Sequence, residues 1–107
     1  MQSPEDMFVE AARQHVLCEL TDRAGGLRKV QPYLVFESEQ GQILFHCYQV
    51  AGHSESGNPV SWKNLPAKSV VSAKITSQSF RIRDDYNPAK FRKTRFFLSK
   101  ASTGKQV

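Results

Sequence analysis

The chain is poor in the residues that carry covalent and redox chemistry. Two of its 107 residues are cysteine, three are histidine and one is tryptophan. Two thiols, Cys18 and Cys47, set no disulfide framework, and a bridge between them requires their strands to be neighbours. With His15, His46 and His53 they form no recognisable zinc spacing, so no metal site is expected. His46 and Cys47 are adjacent on a strand and point to opposite faces, which prevents a catalytic pair or a shared chelate. Gly25-Gly26 lacks both the Lys-Ser/Thr of a phosphate loop and the spacing of a dinucleotide turn. Asp84-Asp85 lie beside Arg81 and Arg83 and suit a shaped loop better than an acid–base dyad. Catalytic residues, cofactors and enzyme activity are therefore not expected. The lack of a leader-like segment and of a long apolar run, with the sparse cysteine, points to a soluble cytoplasmic protein without a membrane partner.

What is present suits one domain over residues 1–107. Apolar residues make up 39% of the chain, enough for one modest core. Lys and Arg number 15 against 10 acids, a formal charge of +5. Such an excess favours polyanions, acidic partners or anionic ligands, although solvated lysines produce the same count.

The organising stretch runs from Leu27 to Val50. Two arms rich in β-branched and aromatic residues, Leu27 to Phe36 and Gln42 to Val50, flank the polar link Glu37-Ser38-Glu39-Gln40-Gly41 and read as a β-hairpin. Ile43, Phe45 and Cys47 fall on one face, with Leu44, His46 and Tyr48 on the other. Pro32 lacks an amide donor and is expected at an edge or a bulge. Before the hairpin, Ser3-Pro4-Glu5-Asp6 starts a helix over about 4–14, with Met7, Phe8, Ala11 and Ala12 on the face that closes the end of the sheet. His15 to Asp22 reads as a first strand, ending in a turn at Asp22-Arg23-Ala24-Gly25-Gly26.

After the hairpin, Ala51 to Pro59 reads as an exposed loop. Val60 to Lys63 is a short strand, Asn64 to Lys68 a turn, and Ser69 to Thr76 another strand. Phe80 and Ile82 dock back on the core. Asn87-Pro88 can cap a helix, and Ala89 to Leu98 reads either as a strand, with Phe91 and Phe97 on one face, or as a helix, with Phe91 and Leu98 together; the preferred reading is a short helix or turn followed by an extended segment. The basic segment, about 88–107, ends in a frayed tail from Ser99.

The order of these elements resembles the WYL domain. The residues that carry the resemblance are Glu10-Ala11-Ala12 leading into Val16-Leu17-Cys18-Glu19-Leu20, then Gly26-Leu27-Arg28-Lys29-Val30-Gln31-Pro32-Tyr33, then Leu65-Pro66-Ala67-Lys68-Ser69-Val70 with Ile75-Thr76 and Phe80. The resemblance implies a mainly β, SH3-like or Sm-like small barrel of about five strands with an N-terminal helix. It also implies a bacterial transcription-regulatory context, with a barrel that senses nucleic-acid-like or other negatively charged ligands. The chain departs from the family at its naming triad, where it has Ile43-Leu44-Phe45, and Lys68 stands where the family usually has Arg.

Two functions compete. In the first, the barrel is a non-catalytic regulatory module that binds an anionic ligand or single-stranded nucleic acid. Small barrels do so by combining a cationic groove with aromatic stacking platforms. Arg28, Lys63, Lys68, Arg92 and Arg95 would supply charge, and Tyr33, His46 and Trp62 a barrel-face site. The opposing reading places the aromatics in the core and the arginines on a solvated rim. In the second function, a strand edge or Phe96-Phe97-Leu98 docks on a protein partner or a second copy.

Overall fold

The computed structural model describes residues 3–52 and 60–98. Of the loop expected over Ala51 to Pro59, Ala51 and Gly52 belong to a strand instead, and residues 53–59, with His53, like the tail from 99 onward, with Lys100, lie outside the described residues. The fold is mainly β, a small barrel-like domain with one N-terminal helix, as expected.

Helix α1 spans Pro4–Gln14. The Ser3 hydroxyl accepts from the Asp6 amide at 3.1 Å, and the Asp6 carboxylate accepts from the Ser3 amide at 3.4 Å. This capping box satisfies two amides that have no partner inside the helix. His15 is not the first strand residue. It adopts a left-handed backbone (φ 57°) and closes the helix, with its amide donating to the Ala11 and Ala12 carbonyls. That turn sends the chain directly into the sheet.

Six strands follow: β1 (Val16–Asp22), β2 (Leu27–Glu37), β3 (Ile43–Gly52), β4 (Ser61–Pro66), β5 (Val70–Ser79) and β6 (Thr94–Phe97). The antiparallel order is β4-β3-β2-β1-β5, with β6 also on β2. The fourth strand runs past Lys63, so Asn64, Leu65 and Pro66 belong to it, and the turn is a single 3-10 turn at Ala67–Ser69. That turn joins β4 to β5, the two ends of the strand order, and so brings the edges of the curved sheet to one corner. The Arg23 guanidinium donates to the Lys68 carbonyl at 2.8 Å and ties the β1–β2 turn to the same corner.

Strand β2 is central. One edge pairs with β3 along its length; the other is shared, with β1 on Thr21↔Leu27 to Cys18↔Val30 and β6 on Leu34↔Phe97 to Phe36↔Thr94. Pro32 is therefore not on an edge strand. It sits at a bulge, because the register passes from Pro32↔Cys47 to Leu34↔His46 and leaves Tyr33 as the extra residue. It also falls between the β1 and β6 pairings, where a missing amide disturbs no ladder.

The bulge reverses the alternation of side chains along β2. Val30 and Val35 both enter the barrel interior with Phe8, Cys18, Leu20, Phe45, Cys47 and Val70. Tyr33 and Leu34 enter a second cluster outside the barrel, with Ala12, Ile82, Tyr86 and Leu98. Phe8 stacks on Phe45 with ring centroids 4.6 Å apart, which seats α1 on the barrel. Cys18 and Cys47 are buried and free. Their strands lie on opposite sides of β2, so the neighbouring-strand condition for a bridge is not met.

Gly52 closes β3 against the start of β2. Its φ is +108°, and a Cβ there would meet the Leu27 carbonyl oxygen and stand 2.9 Å from the Arg28 Cα. Both neighbours are backbone and cannot swing away. Gly52→Ala is expected to destabilise the domain by about 3 kcal/mol, from backbone strain plus the clash. Urea unfolding monitored by circular dichroism measures it; an unchanged midpoint would show that this strand end is loose.

Candidate ligand-binding site

The outward face of β3 and β4 carries the polar and aromatic groups. The pairings Tyr48↔Trp62 and His46↔Asn64 place these four side chains in a two-by-two patch. The His46 ring stacks on Trp62, with centroids 4.7 Å apart and planes 4° apart. Its Nδ1 lies 2.7 Å from the Asn64 Oδ1. An amide oxygen only accepts, so Nδ1 carries the proton and Nε2 is the acceptor. Among the described residues Nε2 has no hydrogen-bond partner. Burial lowers the imidazole pKa below the ordinary 6.5, against the hydrogen bond to Asn64, and Lys90 lowers it further.

The segment after β5 folds over this patch. Tyr86 lies 4.5 Å from Tyr33, centroid to centroid, and Phe91 lies 4.4 Å from His46 and 4.9 Å from Phe36. The Asn87 side chain accepts from the Ala89 amide at 3.2 Å and starts a 3-10 turn at Pro88–Lys90, which presents Lys90 and Phe91. The Asp85 carboxylate accepts from Trp62 Nε1 at 3.1 Å and from the Arg83 guanidinium at 2.9 and 3.2 Å. These two donors hold its pKa below the usual value, Arg83 first. Arg83 also sits 3.9 Å above the Tyr48 ring. Asp85 is thus committed to shaping the loop, as the sequence suggested.

Between these walls lies a cleft of about 390 Å³, lined by His46, Trp62, Asn64, Asp85, Asn87, Lys90 and Phe91. It offers aromatic surface, one imidazole acceptor, two carboxamides, a lysine and the Asp85 carboxylate, which Trp62 and Arg83 hold.

The eight predicted residues divide. His46 and Trp62 line the cleft, half-buried and hydrogen-bonded. Tyr33 lies behind Trp62, 5.1 Å centroid to centroid, and has no exposed surface. Its hydroxyl donates to Gln31 at 2.9 Å and accepts from the Arg83 amide at 2.9 Å, and burial pushes its pKa up to about 12. It is a support for the site, and no ligand reaches its ring. Arg28 lies at a different cavity, beside Asp22 and Gln49. Lys68 lies in the 3-10 turn before β5. Lys63 is half-buried on β4 opposite Cys47. Arg95 donates to Glu5 at 2.8 Å, and Arg92 is exposed one residue beyond the cleft's Phe91.

The sequence reading missed Asn64, Asn87, Lys90 and Phe91 as one site. Extending the β4 alternation from Trp62 would have paired Asn64 with it. Nothing local marks the return of residues 87–91 onto β3. Cys18 and Cys47 have no exposed surface, and burial pushes the Cys18 thiol up to about 12 and raises Cys47 as well. Among the described residues no cluster of three or more His, Cys, Asp or Glu could hold a metal, and no helix is long and apolar enough to cross a membrane. Comparison with family models, curated proteins and solved structures gives no significant match to the chain.

His46 yields a pH prediction. Its folded pKa is lower than its unfolded one, so the unfolded chain takes up protons first as pH falls. The contribution is complete above about pH 6.5 and declines below it. Urea midpoints at pH 7.5 and 5.5 should differ more in wild type than in His46→Gln. Equal differences in the two proteins would remove the imidazole from this role.

Proposed function

We propose that the chain is a non-catalytic binding module that takes single-stranded nucleic acid or a nucleotide in the His46–Trp62–Phe91 cleft. The observation that carries this reading is the open imidazole acceptor between aromatic walls, with carboxamides and a lysine beside it. A nucleobase is planar and presents donors and acceptors on its edge, the complement of such a lining. Lys90 within the cleft and Arg92, exposed one residue beyond Phe91, suit the attached phosphate. The net charge of +5 favours approach of a polyanion. The resemblance to the WYL domain is in keeping with a regulatory role.

Trp62 is the only tryptophan, so its fluorescence reports from the cleft alone. A single-stranded oligonucleotide should quench it, and more weakly as salt rises. Phe91→Ala should weaken binding roughly tenfold, within the range for loss of one stacking contact. Lys90→Ala should reduce the salt slope by about one. A flat titration at low salt, with base, nucleotide and oligonucleotide alike, would remove the reading.

A second reading has its own observation. Among the described residues strand β6 pairs only with β2, and Phe97 on it is 51% exposed. An edge strand with an exposed aromatic is a surface for strand addition by a protein partner or a second copy. For self-association, sedimentation velocity should show a concentration-dependent species that Phe97→Asp abolishes. A wild-type monomer at every concentration would sink that version.

A further inference from the structure

A second cavity, of about 410 Å³, lies between the β1–β2 turn and the β4–β5 corner, lined by Leu20, Asp22, Arg23, Arg28, Leu65 and Ser69 among others. Arg28 belongs to a strand that faces the barrel here, and its side chain is only 11% exposed. Its Nη1 donates to the Gln49 Oε1 at 2.9 Å. Its Nε stands 3.9 Å from the Asp22 carboxylate, beyond hydrogen-bond reach. A guanidinium has five N–H donors in a fixed fork. Among the described residues Arg28 spends one of them, so most of a nearly buried cation is left without a direct bond. Buried donors are ordinarily satisfied, and a charged one left open is costly.

Gln49 explains why the guanidinium stays where it is. That side chain is fully buried, and its oxygen anchors one arm of the fork. Asp22 is occupied otherwise: its Oδ1 accepts from the Ala24 and Gly26 amides at 3.0 and 2.8 Å and shapes the turn. Arg23 lines the same cavity, held by the Lys68 carbonyl. The cavity therefore contains two guanidinium groups against one carboxylate, over a floor of Leu20, Leu65 and Val70.

We propose that this cavity binds a small oxyanion group, a phosphate or carboxylate on a ligand, on the open fork of Arg28 with Arg23 beside it. Arginine matches either anion through parallel N–H bonds. The depth of Arg28 selects a terminal group that can enter the cavity over a continuous phosphate backbone. The site is separate from the aromatic cleft: His46 and Gln49 are three residues apart on β3 and point to opposite faces.

The test is a titration of the full chain with sodium phosphate, and separately with sodium acetate, at constant ionic strength. It is followed through the amide resonances of Ala24, Gly26 and Arg28. Saturable shifts at these residues are expected with at least one anion, and the stronger of the two identifies phosphate or carboxylate as the source. Arg28→Lys keeps the charge and a donor for Gln49 but loses the fork, and should weaken binding about tenfold. Asp22→Asn keeps the acceptor for the turn and removes a like charge, and should tighten it. Phe91→Ala should leave it unchanged, which keeps the result independent of the cleft. No saturable shift in both wild type and Asp22→Asn overturns the proposal. So does equal binding by Arg28→Lys, which would reduce the effect to nonspecific charge.

Discussion

The bulge in β2 is the constraint on which the rest of the molecule depends. A strand without it would send Val30, Pro32 and Leu34 to one face and Tyr33 and Val35 to the other. One extra residue, Tyr33, lets Val30 and Val35 share the barrel interior while Tyr33 and Leu34 turn outward together. A small barrel thereby acquires a second buried cluster on its outside. The segment after β5 has something to pack on, and the Leu98 amide donates to the Tyr33 carbonyl at 2.9 Å to fasten it. Helix α1 serves both clusters, with Ala11 in the first and Ala12 in the second. Their small side chains permit that close approach.

Both candidate sites follow from this division. Strand β3 keeps a strict alternation from Phe45 to Gln49, so Cys47 and Gln49 face inward and His46 and Tyr48 outward. The inward series ends in a buried amide that fixes Arg28. The outward series ends in an aromatic patch that the 80–91 segment covers in part. Tyr33 serves as hinge between the two regions: its carbonyl and hydroxyl each hold part of the returning chain. A polar edge on an otherwise apolar ring is what makes tyrosine suited to that position.

The sequence made the helix, its cap and the hairpin legible because those signals are local. Ser3, Pro4 and Asp6 specify the helix start by chemistry that needs no tertiary context, and the observed span matches the reading. The faces of Ile43 to Tyr48 follow from period two. His15 was misread because a left-handed cap by histidine has no strong sequence mark. Pro32 was half legible. Its missing amide predicted a bulge, but an edge was the alternative, and only the sharing of β2 between β1 and β6 separates them. The sixth strand is four residues long and was readable as no more than an extended segment. Arg28, Lys68 and Trp62 line three different cavities for a plain reason: composition counts charges, and the fold sends them to different places.

That distribution changes how the charge of +5 is to be understood. Arg28 stands beside Asp22, Arg83 is bonded to Asp85, Arg95 to Glu5, and Arg13 lies 3.9 Å from Glu10. Exposed pairs of this kind add little stability, but they cancel much of each other's field at short range. The excess that a polyanion would meet is therefore carried by cations outside these pairs, Lys90 at the cleft, Arg92 exposed just beyond Phe91 and Lys68 at the barrel corner among them. Among the described residues Arg28 differs from the other three paired arginines in being nearly buried with one donor of its fork bonded, where solvent screens it least. A buried cation with open donors acts on what enters its cavity, whereas the surface lysines act on whatever approaches. The two kinds of positive charge are suited to different ligands, or to different parts of one.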